Sequence, residues 1–452
     1  MMRKTSAYRS LYAYPWDVAE EGVAAFAAKA RERGLNGVTL AASYHAGKFL
    51  RPNARSGGRV VFPQDGVVYF DPDPKRYGEL RAQPHSDPAL RRLFAELADD
   101  GRLDVHAWTV LLHNSRLGAA YPQYTARNAF GDSYVYSLCP AQPAVFEYAV
   151  ALACDAARQG VRSVVLETPG WLPYAHGYHH EFAQLRSNVW LDTMLGLCFC
   201  DACVKAAGES GIDGSGLRQR VAGRIDAYLK APVDATEAQA AAWLAADLLD
   251  DQELATYIRL RQALVTELVK TIRFGLPASI QLAVIPTVQR PTAQSWIEGS
   301  DLRALAAAAD WLEVPFYEAD AARVIADAHD TLRRLPATAE SVSTLVPGTK
   351  SDTGSALVTR HSTPSAAQLV SDSVPGTKVD GTADPAGSAV KVRAILRPGA
   401  PDLADGAQLP QALAGLAALG IRDFAFYNHG LLRSERLDAL GAALHHFDRS
   451  AS

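Results

Sequence analysis

The chain has 452 residues, of which 48% are hydrophobic and 21% charged, with a formal net charge of −4. That balance excludes disorder throughout and fits one large α/β domain with insertions or two domains. Lysine and arginine are scattered with no basic stripe, and no apolar run reaches the length of a membrane span, so neither nucleic acid nor membrane is an expected partner and a cytoplasmic protein is expected.

Eight apolar, strand-like runs alternate with Ala-rich helical stretches. The first is "SLYAYPW" from Ser10, followed by a helix expected over Val18 to Arg33, with Asp17 placed to cap it and Gly34 to close it. The second, "GVTLAASY" from Gly37, leads into a long loop whose aromatic residues suggest an ordered rim to a cleft. "DVHAWTVL" from Asp104 and "SVVLE" from Ser163 come next, and after the fourth run lies a helical excursion, 172–275, that carries three cysteines. "IQLAVIP" from Ile280 and "DWLEVPF" from Asp310 precede a Ser-, Thr-, Gly- and Pro-rich segment, 337–388, which repeats "VPGTK" and reads as a largely unstructured insertion. "VKVRAIL" from Val390 and "DFAFYNHG" from Asp423 complete the set.

Eight such units favour an α/β fold of the TIM-barrel type, a (β/α)8 barrel formed by 1–336 and 389–452, with long loops after strands two and four and the low-complexity insertion before strand seven. An open doubly wound sheet is the competitor, but "YAYPWDVAEEG" is the wrong chemistry for a phosphate-binding turn after the first strand.

In such barrels the chemistry gathers where the strands end. The first two runs end in Tyr14 and Trp16 and in Tyr44, His45 and Lys48; the third ends in His113 and Asn114. Glu167 and Trp171 follow the fourth, with His176 and His179 in the same loop; Tyr317, Arg397, Tyr427 and Asn428 follow the sixth, seventh and eighth. Aromatic platforms beside planar hydrogen-bonding groups suit the C–H faces and hydroxyls of a carbohydrate or glycoside. Cleaving a glycosidic bond needs two carboxyl groups. Glu167, directly after a buried strand, is the expected proton donor, since burial raises a carboxyl pKa toward general-acid use. Glu313 stands in "DWLEVPF" much as Glu167 stands in "SVVLETP", and Glu318 is the other candidate for the second carboxylate.

Two alternatives stand beside the glycosidase. One is a metal-dependent sugar isomerase or lyase with Glu167, His176, His179 and Glu313 around a divalent ion. The other is a carbohydrate-binding barrel without catalysis. No cofactor is expected for a glycosidase, and nothing in the sequence opposes a homo-oligomer.

Cys198, Cys200 and Cys203 bring three thiols within six residues, and Cys139 or Cys154 can supply a fourth ligand to a tetrahedral, closed and therefore structural zinc site. With Glu167 and Cys139 upstream, this C-x-C-x2-C pattern resembles that of the family 42 β-galactosidases and related (β/α)8 glycoside hydrolases. The resemblance implies a glycosidase barrel with Glu167 as acid/base and Cys139 among the metal ligands. The chain departs from that family in two places: Leu166 stands where the family has Asn, and "RAILRPG" offers no strand-seven carboxylate before Asp402. A strand-four and strand-six pairing is similar instead to the α-galactosidase clan, which uses aspartates.

Overall fold

The computed structural model describes residues 7–54, 58–177, 184–335 and 392–450. The 337–388 insertion and His179 lie outside the described residues. Each apolar run forms one strand: β1 Arg9–Ala13, β2 Gly37–Tyr44, β3 Asp104–Val110, β4 Ser163–Glu167, β5 Gln281–Val284, β6 Trp311–Pro315, β7 Val392–Leu396 and β8 Asp423–Phe426. Each pairs in parallel with the next, and β8 pairs with β1, so the sheet closes into an eight-stranded barrel surrounded by helices. The apolar runs are continuous rather than alternating because both faces are covered, one by helices and the other by the barrel interior; all eight residues of β2, for example, are buried.

Inward-facing positions repeat every second residue, and several of them are polar. Ser10 Oγ lies 2.7 Å from Thr39 Oγ1, and His106 Nδ1 lies 2.8 Å from Ser163 Oγ. Arg393 lies against the rings of Tyr8 and Trp311, 4.0 and 4.1 Å from their centroids, and meets Glu313 at 3.4 Å. The interior is therefore packed and hydrogen-bonded up to the layer at the carboxyl ends of the strands.

The expected Val18 to Arg33 helix is two helices, Pro15–Glu21 and Val23–Glu32, broken at Gly22, where φ is +83°. Glycine alone takes that angle without strain. Asp17 is consequently not a cap: Tyr14 holds that position, and Asp17 accepts from Arg51 Nε at 2.6 Å. Arg51 also pairs with Glu20, so the loop after β2 is tied to the first helix. That loop is ordered where described, with Phe49–Leu50 pairing with Val60–Val61 and Val67–Val68 pairing antiparallel with β2. After β4, helices Val189–Leu195, Asp201–Glu209, Gly214–Lys230, Glu237–Asp250 and Gln252–Gly275 form the excursion. No described helix is long and apolar enough to cross a membrane.

Candidate active site

A cleft of about 1340 Å³ opens at the carboxyl ends of the strands. Glu167 ends β4 on an inward-facing position and lines it, partly open to the cleft and enclosed elsewhere. Trp108, one strand over on β3, donates its indole N–H to Glu167 Oε2. Burial pushes the carboxyl up to about 7, with the indole hydrogen bond pulling the other way. Thr168, the next residue, holds φ at +52°, a conformation a β-branched residue keeps only when its surroundings impose it. Two residues on, a Cβ at Gly170 would overlap the Glu298 carbonyl, which accepts from Trp171 N at 3.1 Å. The backbone that aims Glu167 is thereby pinned to the loop after β5.

Tyrosines build the wall around it. Tyr14 Oη lies 3.0 Å from Tyr44 Oη and 2.9 Å from Tyr427 Oη. Tyr44 and Tyr427 line the cleft, while Tyr14 stands behind them, stacked on Trp16 at 4.5 Å. Tyr317 closes the opposite side, 5.8 Å from Tyr427. On the rim contributed after β2 and β3, His45 stacks on His113 at 3.7 Å, and His176 meets His113 at 5.8 Å. Lys48, Arg397 and Asn428 also line the cleft, as do Phe49, Phe62 and Asp65 from the loop after β2. Asn428 accepts from Gly430 N at 3.0 Å, and its amide nitrogen is buried with no hydrogen-bond partner among the described residues.

Six expected site residues stand elsewhere. Tyr14 and Trp16 support the wall rather than line it. Asn114 caps the helix Ser115–Ala120 by accepting from Leu117 N at 2.9 Å, and Trp171 is buried under the Arg261 guanidinium at 4.5 Å. Glu313 is completely buried below the floor, where Tyr12 donates to it at 2.8 Å and Tyr8 at 3.2 Å, beside Arg393. Burial raises its pKa while Arg393 and the two hydroxyls oppose the rise. Glu318, the sixth, does not line the cleft either. The carboxylates sharing the cleft with Glu167 among the described residues are Asp65 and Glu435, neither of which stands at a strand end.

Glu298 was not legible in advance. It is buried in the loop after β5, accepting on one oxygen from Thr287 Oγ1 at 2.5 Å and Val288 N at 2.8 Å. Burial outweighs those donors and pushes its carboxyl up to about 8, with the Glu167 charge adding to the rise. "SWIEGS" carries no signal for this; only the fold brings the two acids into each other's field.

Away from the cleft, the Sγ atoms of Cys139, Cys198, Cys200 and Cys203 lie within 4.8 Å of one another. Cys139 Sγ is 3.4, 3.6 and 3.8 Å from those of Cys203, Cys200 and Cys198. Zinc–sulfur bonds of about 2.3 Å at tetrahedral angles put sulfurs roughly 3.8 Å apart, so the four donors fit a closed zinc site. Arg127 N–H points at Cys198 Sγ at 3.3 Å, an outer-sphere contact of the kind such sites use. Cys154, the alternative fourth ligand, is not in the cluster. No other group of three or more metal-ligating side chains gathers among the described residues.

No family model matches the chain, and no curated protein matches it in sequence; membership of the family 42 β-galactosidases is accordingly not shown. Among solved structures the chain is similar to α-L-fucosidase isoenzyme 2 from Paenibacillus thiaminolyticus, with 11% identity and a TM-score of 0.49 over 99% of this chain and 50% of that one. It is similar to a chitinase from Chromobacterium violaceum, with 10% identity and a TM-score of 0.40 over 98% of this chain and 99% of the other. It is likewise similar to the Bacillus cereus spore cortex-lytic enzyme SleL, with 8% identity and a TM-score of 0.40 over 97% and 74%. The chain thus spans about half the length of the fucosidase.

Proposed function

We propose that the protein is a glycoside hydrolase-like enzyme in which Glu167 protonates the leaving oxygen of a glycosidic bond. The observation that carries this reading is a carboxyl at the end of β4, on an aromatic-walled cleft, raised by burial to about 7 against the opposing indole hydrogen bond of Trp108. A general acid is most effective with its pKa near the working pH, and the tyrosines offer both stacking faces and hydroxyl partners to a sugar. The second carboxylate is then a wall residue. Asp65, half-buried, raised by burial and lining the same cleft, takes that role as base for an attacking water. The test is turnover of a panel of aryl glycosides by wild type and by Glu167→Gln. Hydrolysis that survives the substitution rules Glu167 out as the acid.

One observation favours a second reading, a carbohydrate-binding barrel without catalysis: Glu313, the carboxylate on β6, is committed to Arg393. Saccharide affinity with no turnover by wild type on any of the panel would select it.

We further propose that Cys139, Cys198, Cys200 and Cys203 hold a structural zinc, which fits a cytoplasmic, reducing setting. When bound, the ion would cross-link the loop after β3 to the excursion and take no part in catalysis. Metal analysis should find one zinc per chain, and chelation under denaturing conditions should lower the refolded protein's thermal midpoint. Metal-free protein of unchanged midpoint rules the site out.

A further inference from the structure

The chain is net negative, yet its cleft is walled by the opposite sign. Among the described residues, Lys48, Arg290, Arg397, Arg433 and Arg436 line it, against Asp65, Glu167 and Glu435. Two of the cations are built into the wall. Arg397, just past β7, lies 4.2 Å from the Tyr317 ring centroid and 5.6 Å from that of Tyr427. Arg290 lies 5.6 Å from the Tyr317 centroid and donates to the Tyr317 carbonyl at 2.6 Å. The two share one buried carboxylate, Asp402, at 3.0 and 3.2 Å. Glu318, which does not line the cleft, also lies in the field of Arg290, and Arg397 Nε is buried with no hydrogen-bond partner among the described residues. Arg290, Arg397, Tyr317 and Tyr427 line the same cleft as Glu167.

We propose that Arg290 and Arg397 form a carboxylate subsite, and that the saccharide the cleft takes is an acidic one, with a uronate-type group docked on the two arginines and its ring against Tyr317 and Tyr427. The planar fork of a guanidinium matches a carboxylate in two parallel hydrogen bonds, and a partly desolvated guanidinium pair in a cleft lined by more cations than carboxylates favours an anion over a neutral hydroxymethyl group. The inference rests on reading the cleft as a carbohydrate site and names its substrate class.

The test is calorimetric binding to the full chain carrying Glu167→Gln, with digalacturonate, its neutral digalactose counterpart and a sulfated galactose disaccharide as probes. The acidic disaccharide should bind about ten- to hundredfold more tightly than the neutral one, the range of a hydrogen bond to a charged group. That preference should weaken as salt is raised and fall in both Arg397→Gln and Arg290→Gln. Arg290, with 38% of its side chain exposed, is the variant that keeps the test open if Arg397→Gln does not fold. Equal affinities, no binding of the acidic probe, a preference that survives both substitutions, or sulfate preferred over carboxylate would each overturn the proposal. Acid-selective binding with no hydrolysis by wild type sinks the hydrolase and leaves the subsite standing. Glu167-dependent hydrolysis of neutral glycosides without acid preference does the reverse.

Discussion

Glu167 and Glu313 follow nearly the same local sequence, apolar residues leading to a glutamate, and the barrel uses them in opposite ways. Glu167 is the last residue of β4, whereas Glu313 is third of five in β6. Above Glu313 the strand has one more inward-facing position, Pro315, and it is Pro315 that lines the cleft. Both carboxyls are raised by burial. Around Glu313 the cost is offset by Arg393, Tyr8 and Tyr12; Glu167 has the Trp108 indole and no counter-charge within salt-bridge distance among the described residues. Depth along the strand, rather than the motif, separates an acid sealed in the interior from one that lines the cleft. β7 repeats the lesson on the basic side, where Arg393 is buried against Glu313 and Arg397, two repeats of the pleat higher, lines the cleft.

The largest effect that sharpens this contrast is on turnover. Glu167→Gln should lower kcat roughly thousandfold, within the span of general-acid contributions, with ligand affinity retained and no loss of stability. Steady-state kinetics beside calorimetry reads both. The converse substitution, Glu313→Gln, should cost about 3–5 kcal/mol of stability in urea titration, because it strands the buried Arg393 charge. A variant of wild-type midpoint that has lost activity would instead make Glu313 a cleft acid and break the contrast.

The pH dependence is a smaller effect. Glu167 is raised from 4.5 to about 7, so the proton-donating form is lost above that value and kcat/KM should fall on the alkaline side. The same shift makes stability due to this group fully present below the ordinary carboxyl pKa and lost as pH rises through about 7. Glu167→Gln should therefore outlast wild type in urea at pH 8.5 by up to about 3 kcal/mol and match it near pH 4. No difference at pH 8.5 would mean that Glu167 is not desolvated. Smallest of all, Trp108→Phe removes a hydrogen bond that favours the carboxylate, so the alkaline limb should move to higher pH. A limb that moves lower would show that the indole does not hold Glu167.

Much of the architecture was legible in the chain. All eight strands lie where the apolar runs are, since a strand buried on both faces has few other ways to read. The cysteine cluster was legible too, because three of its members sit within one short turn and the fourth was among two candidates. The Val18 to Arg33 helix was misread because its periodicity survives the break at Gly22, and Asp17 was misread because its partner Arg51 lies 34 residues away. Glu298 had no sequence signal at all.

The sequence by itself determined the barrel and the placement of Glu167 at a strand end, because hydrophobic patterning acts along a few consecutive residues and leaves its trace there. Only the tertiary structure decided which charges cancel: that Glu313 meets Arg393, that Asp402 is divided between Arg290 and Arg397, and that Glu298 lies within the field of Glu167. The physical reason is that an ionisable group's state depends on its desolvation and on charges within a few ångströms, and in a closed barrel those neighbours come from strands and loops remote in the chain.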